Sequence, residues 1–135
     1  MSTRAIFAKA LTDGTYVGGW QWNDGGSYTA SELNKKLSNE EDVDKLIALG
    51  QWNTMYSKKE LNDFIKWYNR DIGNFDKKKI VTEIGKYHIL QDANVNYMSL
   101  PHELNYKDME EMLGQDINYV YIYYPEKDIW EKHSV

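Results

Sequence analysis

A chain of 135 residues falls in the usual size range of one domain, so the sequence predicts a single domain over residues 1–135 built on one core. Apolar residues make up 41% and aromatics 14%, including eleven Tyr and five Trp, which is ample for a core and excludes a disordered chain. With no Cys, disulfides, thiolate catalysis and cysteine metal sites are excluded, and a formal charge of -5 argues against nonspecific attraction to nucleic acid or to an anionic membrane.

The opening Met1-Ser2-Thr3-Arg4 leads into a short alternating stretch, and no segment reaches the roughly 18 apolar residues of a membrane span, so neither export nor anchoring is expected. Residues 3–10 and 15–22 predict two strands joined by a tight turn, because Asp13-Gly14 supplies the positive φ angles of a hairpin. Gly18-Gly19, inside the second strand, predicts a bulge or the close approach of another backbone. Asn23-Asp24-Gly25-Gly26-Ser27 has the composition of a loop.

Ser31 is expected to cap a short helix through Leu37, and Asn39 a second one in which Glu40, Glu41 and Asp42 sit at the positive end of the dipole. Val43, Leu46, Ile47 and Leu49 form its buried stripe, and Gly50 stands at its C-terminal cap. Ser57-Lys58-Lys59-Glu60 has capping-box spacing, yet Phe64-Ile65-Lys66-Trp67-Tyr68 has the aromatic content of a strand. The expectation is a helical turn leading into a strand. Residues 80–90 read as a strand, Leu100-Pro101 as a break, and Asn105 as the cap of a helix over Tyr106 to Leu113 that Gly114 ends. Ile117 to Tyr124 reads as a strand and Asp128 to Lys132 as a further edge. The economical architecture is α+β: an antiparallel or mixed sheet that begins with a hairpin and carries two or three helices on one face.

The residues that could carry chemistry are few. His88, His102 and His133 are far apart and lack the helical spacing of zinc ligands, and no phosphate-cradling glycine loop or nucleophile-elbow serine occurs, so neither a metal, a cofactor nor a catalytic residue is assigned. Two clusters suit ligand binding. Trp20 and Trp22, two apart on a strand, share a face beside Asp24; they suit either core packing or a platform for a planar ligand. Tyr68-Asn69-Arg70-Asp71-Ile72-Gly73 offers Arg70, whose planar guanidinium suits bidentate contact with phosphate or carboxylate; the other reading is an ion pair of Arg70 with Asp71 or Asp24 that fixes a loop.

Four stretches carry a resemblance: Gly14-Thr15-Tyr16 to Trp22-Asn23-Asp24-Gly25, Val43 to Gly50, Tyr68 to Gly73, and Tyr119-Val120-Tyr121-Ile122-Tyr123 to Trp130. Their order and spacing resemble a family of small accessory proteins of tailed bacteriophages. The chain departs from that pattern at Gln21, where a His is usual, and at Gly50-Gln51-Trp52, in place of Gly-Asp-Ser. The resemblance implies a viral origin, the bacterial cytoplasm as the place of action, and a role in countering host defence. Three functions follow as expectations: a sponge that sequesters a nucleotide-like immune signal, an acidic inhibitor of a host defence protein such as a nuclease, or, third, an enzyme that degrades the nucleotide. The sponge reading assigns Trp20, Trp22, Asp24, Tyr68, Arg70 and Asp71 to the ligand. The aromatic surplus further suggests a homo-oligomer, such as a dimer.

Overall fold

A computed structural model describes residues 2–94 and 102–135. The chain begins with the expected hairpin, β1 (Ala5–Ala10) and β2 (Tyr16–Gln21), paired without interruption from Ala5 opposite Gln21 to Ala10 opposite Tyr16. Asp13 Oδ1 accepts from the Thr15 amide at 3.0 Å and Gly14 adopts φ +84, so the turn forms as its residues dictate. The unbroken register means that Gly18-Gly19 makes no bulge. Close approach is what these glycines permit, chiefly of a side chain: a Cβ on Gly19 would lie 2.5 Å from the Trp52 ring and 3.1 Å from the backbone oxygen of Gly50.

Two helices follow, α1 (Ala30–Lys36) and α2 (Glu40–Ala48). Thr29, not Ser31, caps α1, its side chain accepting from the Glu32 amide; Thr29 is the residue left in an extended conformation just ahead of the helix, and Ser31 lies within the first turn. Asn39 caps α2, Val43, Leu46 and Ile47 are buried, and Gly50 closes it at φ +77 with its amide on Ile47 O. Two short strands come next, β3 (Gln51–Trp52) and β4 (Thr54–Tyr56).

Residues 58–71 correct the reading from composition: they form one helix, α3 (Lys58–Asp71), with no strand at Phe64–Tyr68. Both bonds of the capping box form, Ser57 with the Glu60 amide and Glu60 with the Ser57 amide. Leu61, Phe64, Ile65 and Tyr68 recur at helical spacing and pack on Phe75 and Leu90, so the cap and the stripe outweigh strand propensity. A turn of helix, α4 (Phe75–Lys78), then leads into β5 (Lys79–Ile84) and β6 (Tyr87–Asp92), an antiparallel pair where the sequence suggested one strand over 80–90. Gly85 at φ +59 makes the turn between them.

The break expected at Leu100-Pro101 lies outside the described residues. Beyond it come β7 (His102–Leu104), α5 (Tyr106–Met112) capped by Asn105, β8 (Tyr119–Tyr124) and β9 (Ile129–Ser134). Among the described residues the strands form two sheets. The larger runs β3-β2-β1-β8-β9, with β7 also on β2; it is mixed, because β1 pairs parallel with β8 and antiparallel with β2. The smaller is β4-β6-β5.

Alternation along β1 divides the core. Ala5 and Phe7 join Leu33 of α1 and Leu37 just after it, Val43, Leu46 and Ile47 of α2, and Met55, Ile84 and Ile89 of the smaller sheet. Ile6 and Ala8 face the other way, to Met109 of α5 and to Val120 and Ile122. Among the aromatics, Phe7, Tyr28, Trp52, Phe75, Tyr87, Tyr121, Tyr123 and Trp130 are buried, whereas Trp22, Trp67 and Tyr106 are exposed. Among the described residues no helix is long and apolar enough to cross a membrane.

Candidate functional site

The site grows from a buried polar knot where β2, β3 and β4 meet. Gln21 is fully buried; its amide nitrogen donates to Asn23 O at 2.7 Å and to the Tyr28 hydroxyl at 2.9 Å, and its amide oxygen accepts from the Trp52 indole at 2.8 Å. Tyr28 in turn donates to Met55 O at 2.9 Å and accepts from the Met55 amide at 3.0 Å. Burial pushes the Tyr28 hydroxyl up to about 12, against the opposing effect of its bonds to Thr54, Gln21 and Met55. This knot fixes the loop 23–27 against β4, so that Asp24, held at φ +57, meets Thr54 Oγ1 at 3.3 Å.

Above the knot opens a polar cleft of about 380 Å³, walled by Asp24, Asn53, Thr54, Tyr56, Phe64 and Lys79 and closed by the N-terminal Ser2 and Thr3. Lys79 pairs with Asp92, which also accepts from Asn53 Nδ2 at 3.3 Å, and its ammonium lies 5.7 Å from the centre of the Tyr68 ring. Asn53 Oδ1 is buried and has no hydrogen-bond partner. Such an orphaned acceptor costs free energy until an N–H or O–H reaches it. Tyr56 and Phe64 stand 5.5 Å apart at the aromatic side of the cleft.

Of the residues expected from sequence to bind, Asp24 lines this cleft and Tyr68 backs its ammonium. The others lie elsewhere. Trp20 and Trp22 do share a face, their rings 5.5 Å apart at 54°, but Trp20 lines a separate apolar recess of about 250 Å³ on the other face of the sheet, with Ile6, Leu104 and Met112. Trp22 carries the Arg4 guanidinium 5.3 Å over its ring and donates its indole N–H to Gln51 Oε1 at 3.0 Å. Arg70 is at the exposed end of α3, where Nε and Nη2 hold Asp71 Oδ2 at 3.1 and 2.8 Å. Arg70 thus pairs with its neighbour Asp71 within α3, not with Asp24 across a loop, and the six residues do not line one cavity. A helix, in place of the strand end expected there, carries Arg70 away from the sheet.

Asn53, Thr54, Tyr56, Phe64 and Lys79 were not singled out by sequence reasoning. The signal at hand was Gln21, a polar residue on a strand between two Trp, whose burial obliges hydrogen bonding and so organises the neighbouring loops. Among the described residues no group of three His, Asp or Glu is arranged to hold a metal ion. The fold and site thus define an α+β protein with a polar, aromatic-sided cleft of ligand size. Comparison with protein-family models, with curated proteins and with solved structures finds no match.

Proposed function

We infer that the chain is a binding protein that holds a nucleotide-like ligand in the cleft between β4, α3 and β5, and that it acts by sequestration. The observation that carries this reading is the orphaned Asn53 Oδ1 in a cleft that also offers an ammonium and two aromatic rings. Nucleobases present N–H donors on their edges, for which an amide oxygen is a suitable acceptor. Their faces stack on rings such as Tyr56 and Phe64, Asp24 accepts from ribose hydroxyls, and Lys79 meets phosphate. Stacking of about 1–3 kcal/mol and charge-assisted hydrogen bonds of about 1.5–3 kcal/mol each suffice together for micromolar binding. The resemblance to accessory proteins of tailed bacteriophages is what favours reading the role as capture of a nucleotide signal of bacterial defence in the host cytoplasm.

The test is to incubate the purified protein with extract of bacteria whose nucleotide-signalling defence has been triggered, remove unbound material, denature by heat and identify what is released by mass spectrometry. An intact nucleotide, lost on Lys79→Gln and on Asn53→Leu, is expected. An altered nucleotide replaces the sponge with a degrading enzyme. No nucleotide, with a host defence protein retained on the column, replaces it with the acidic inhibitor.

A further inference from the structure

Beside the cleft, and sharing Asp24, Thr54 and Tyr56 with it, lies a second recess of about 200 Å³. Its wall holds three carboxylates, Asp24, Glu32 and Glu60, and three tyrosines, Tyr28, Tyr56 and Tyr87, with no Lys or Arg among its lining residues. The carboxylates come from three separate places: the loop after β2, the first turn of α1 and the first turn of α3. One oxygen of each is engaged, by Thr54 Oγ1, by Lys36 Nζ and by the Ser57 amide.

An acidic cluster by itself defines no ligand, but Tyr87 adds a second observation. It is 1% exposed, and its hydroxyl is buried with no hydrogen-bond partner. Tyr87 lines the recess together with Glu32 and Glu60, and burial, then the charges of these carboxylates, push its hydroxyl up. Glu32 acts on it without a hydrogen bond of ordinary geometry. Tyr56 is raised likewise, by burial and then by Asp24 and Glu60. By contrast Tyr28 is fully used by Gln21 and Met55. The recess therefore carries negative charge from three elements, ring faces, and one buried hydroxyl without a hydrogen bond of ordinary geometry.

The chain itself shows what these groups attract. Lys36 Nζ sits 2.9 Å from Glu32 Oε1 and 5.3 Å from the centre of the Tyr87 ring, an ammonium on a carboxylate and an aromatic face. Three carboxylates against this one ammonium leave a formal charge of minus two. The carboxylates are not gathered tightly enough to share a metal ion. Three carboxylates on separate elements, with tyrosine rings in the same wall, suit two cationic ends joined by a short apolar chain.

We propose that this recess binds a small aliphatic diamine in its doubly protonated form, the two ammonium groups on Asp24 and on Glu60 and Glu32, the alkyl chain against the tyrosine rings, and one N–H on the Tyr87 hydroxyl. The proposal does not rest on what occupies the neighbouring cleft. Isothermal titration with 1,4-diaminobutane at low ionic strength tests it. The wild-type protein is expected to bind one equivalent. Asp24→Asn and Glu60→Gln should each weaken binding by ~10-fold, the scale of one charge-assisted hydrogen bond, and Tyr87→Phe several-fold. These variants keep shape: Asn tolerates the positive φ of Asp24, and Gln completes a capping box as Glu does. Asp63→Asn, the same loss of charge on the exposed face of α3, should leave the affinity unchanged. Butylamine, with one charge, should bind more weakly. Absence of saturable binding overturns the proposal, as does an affinity that Asp63→Asn lowers as much as Asp24→Asn. Tighter binding of Nα-acetyl-lysine amide than of the diamine also overturns it, and would assign the recess to a lysine side chain of another protein.

Discussion

The Trp52 indole donates to Gln21 Oε1 at 2.8 Å, and both residues are fully buried. Gln21 is thereby the only route by which this indole is satisfied among the described residues, and its nitrogen serves Tyr28 and Asn23 as well. Gln21→Leu keeps the volume but leaves the indole N–H without an acceptor and the Asn23 carbonyl without its donor. The expected loss is about 2–6 kcal/mol, from about 1–3 kcal/mol for each of the two groups left unsatisfied. Denaturant midpoints measure it; a loss below that of an ordinary surface substitution would show that the knot does not organise the loop.

Two glycines at positive φ separate backbone cost from steric cost. Gly14 at φ +84 has nothing within 4 Å of the place a Cβ would take, whereas at Gly85, φ +59, that place lies 2.2 Å from Lys36 O. Gly14→Ala should cost only the left-handed conformation, about 1–2 kcal/mol. Gly85→Ala must also displace the α1 terminus, whose Lys36 O accepts from the Lys86 amide at 3.0 Å, and should cost at least about twice as much. Equal losses in thermal unfolding would contradict the contact between the β5–β6 turn and α1.

Much of this fold is written locally, and those parts were legible. Asp13-Gly14 turns a hairpin because its own side chain and φ do so, and Asn39, Asn105 and Gly50 cap helices through bonds within a few residues. The α+β class and the opening hairpin follow from such signals. Phe64–Tyr68 misleads because the same residues suit a strand or an amphipathic helix, and the face that is buried is set by packing on Phe75 beyond the helix and on Leu90 of β6. The candidate site is less legible for the same reason. Asn53, Lys79 and Asp92 meet only through pairing between β4, β5 and β6, and Asn53 carries no mark in sequence that its oxygen will be orphaned.

The competition at residues 57–71 is itself testable. If the capping box and the helical stripe decide the outcome, Ser57→Ala should cost about 1 kcal/mol, and Lys66→Pro, at an exposed position inside α3, about 3 kcal/mol or more. Lys66→Ala should be neutral or slightly stabilising, since alanine is the better helix former. A strand would respond in the opposite sense to alanine, so far-ultraviolet circular dichroism together with urea midpoints of the three variants distinguishes the two.

The buried phenols predict how the protein fails in alkali. Burial moves the Tyr28 hydroxyl from an ordinary 10.0 to about 12 and moves Tyr121, Tyr123 and Tyr87 in the same direction. Folding therefore favours the neutral phenol. Below pH 10 both folded and unfolded chains keep this proton and the contribution of Tyr28 is fully present. Above it the unfolded chain ionises first, and stability falls as pH rises through the folded value near 12. For Tyr28 alone the loss across that window is about 2–3 kcal/mol, because each tenfold difference in proton affinity between the folded and unfolded chains is worth about 1.36 kcal/mol. Urea midpoints should accordingly hold steady from neutral pH to about 10 and then drop, with the absorbance of buried tyrosinate emerging together with unfolding. Tyr28→Phe should be less stable at neutral pH, because Gln21 and Met55 lose their partner, yet show a shallower alkaline slope. A native protein whose tyrosines all ionise at ordinary pH while it stays folded would mean that the Gln21–Tyr28–Trp52 knot is open to water.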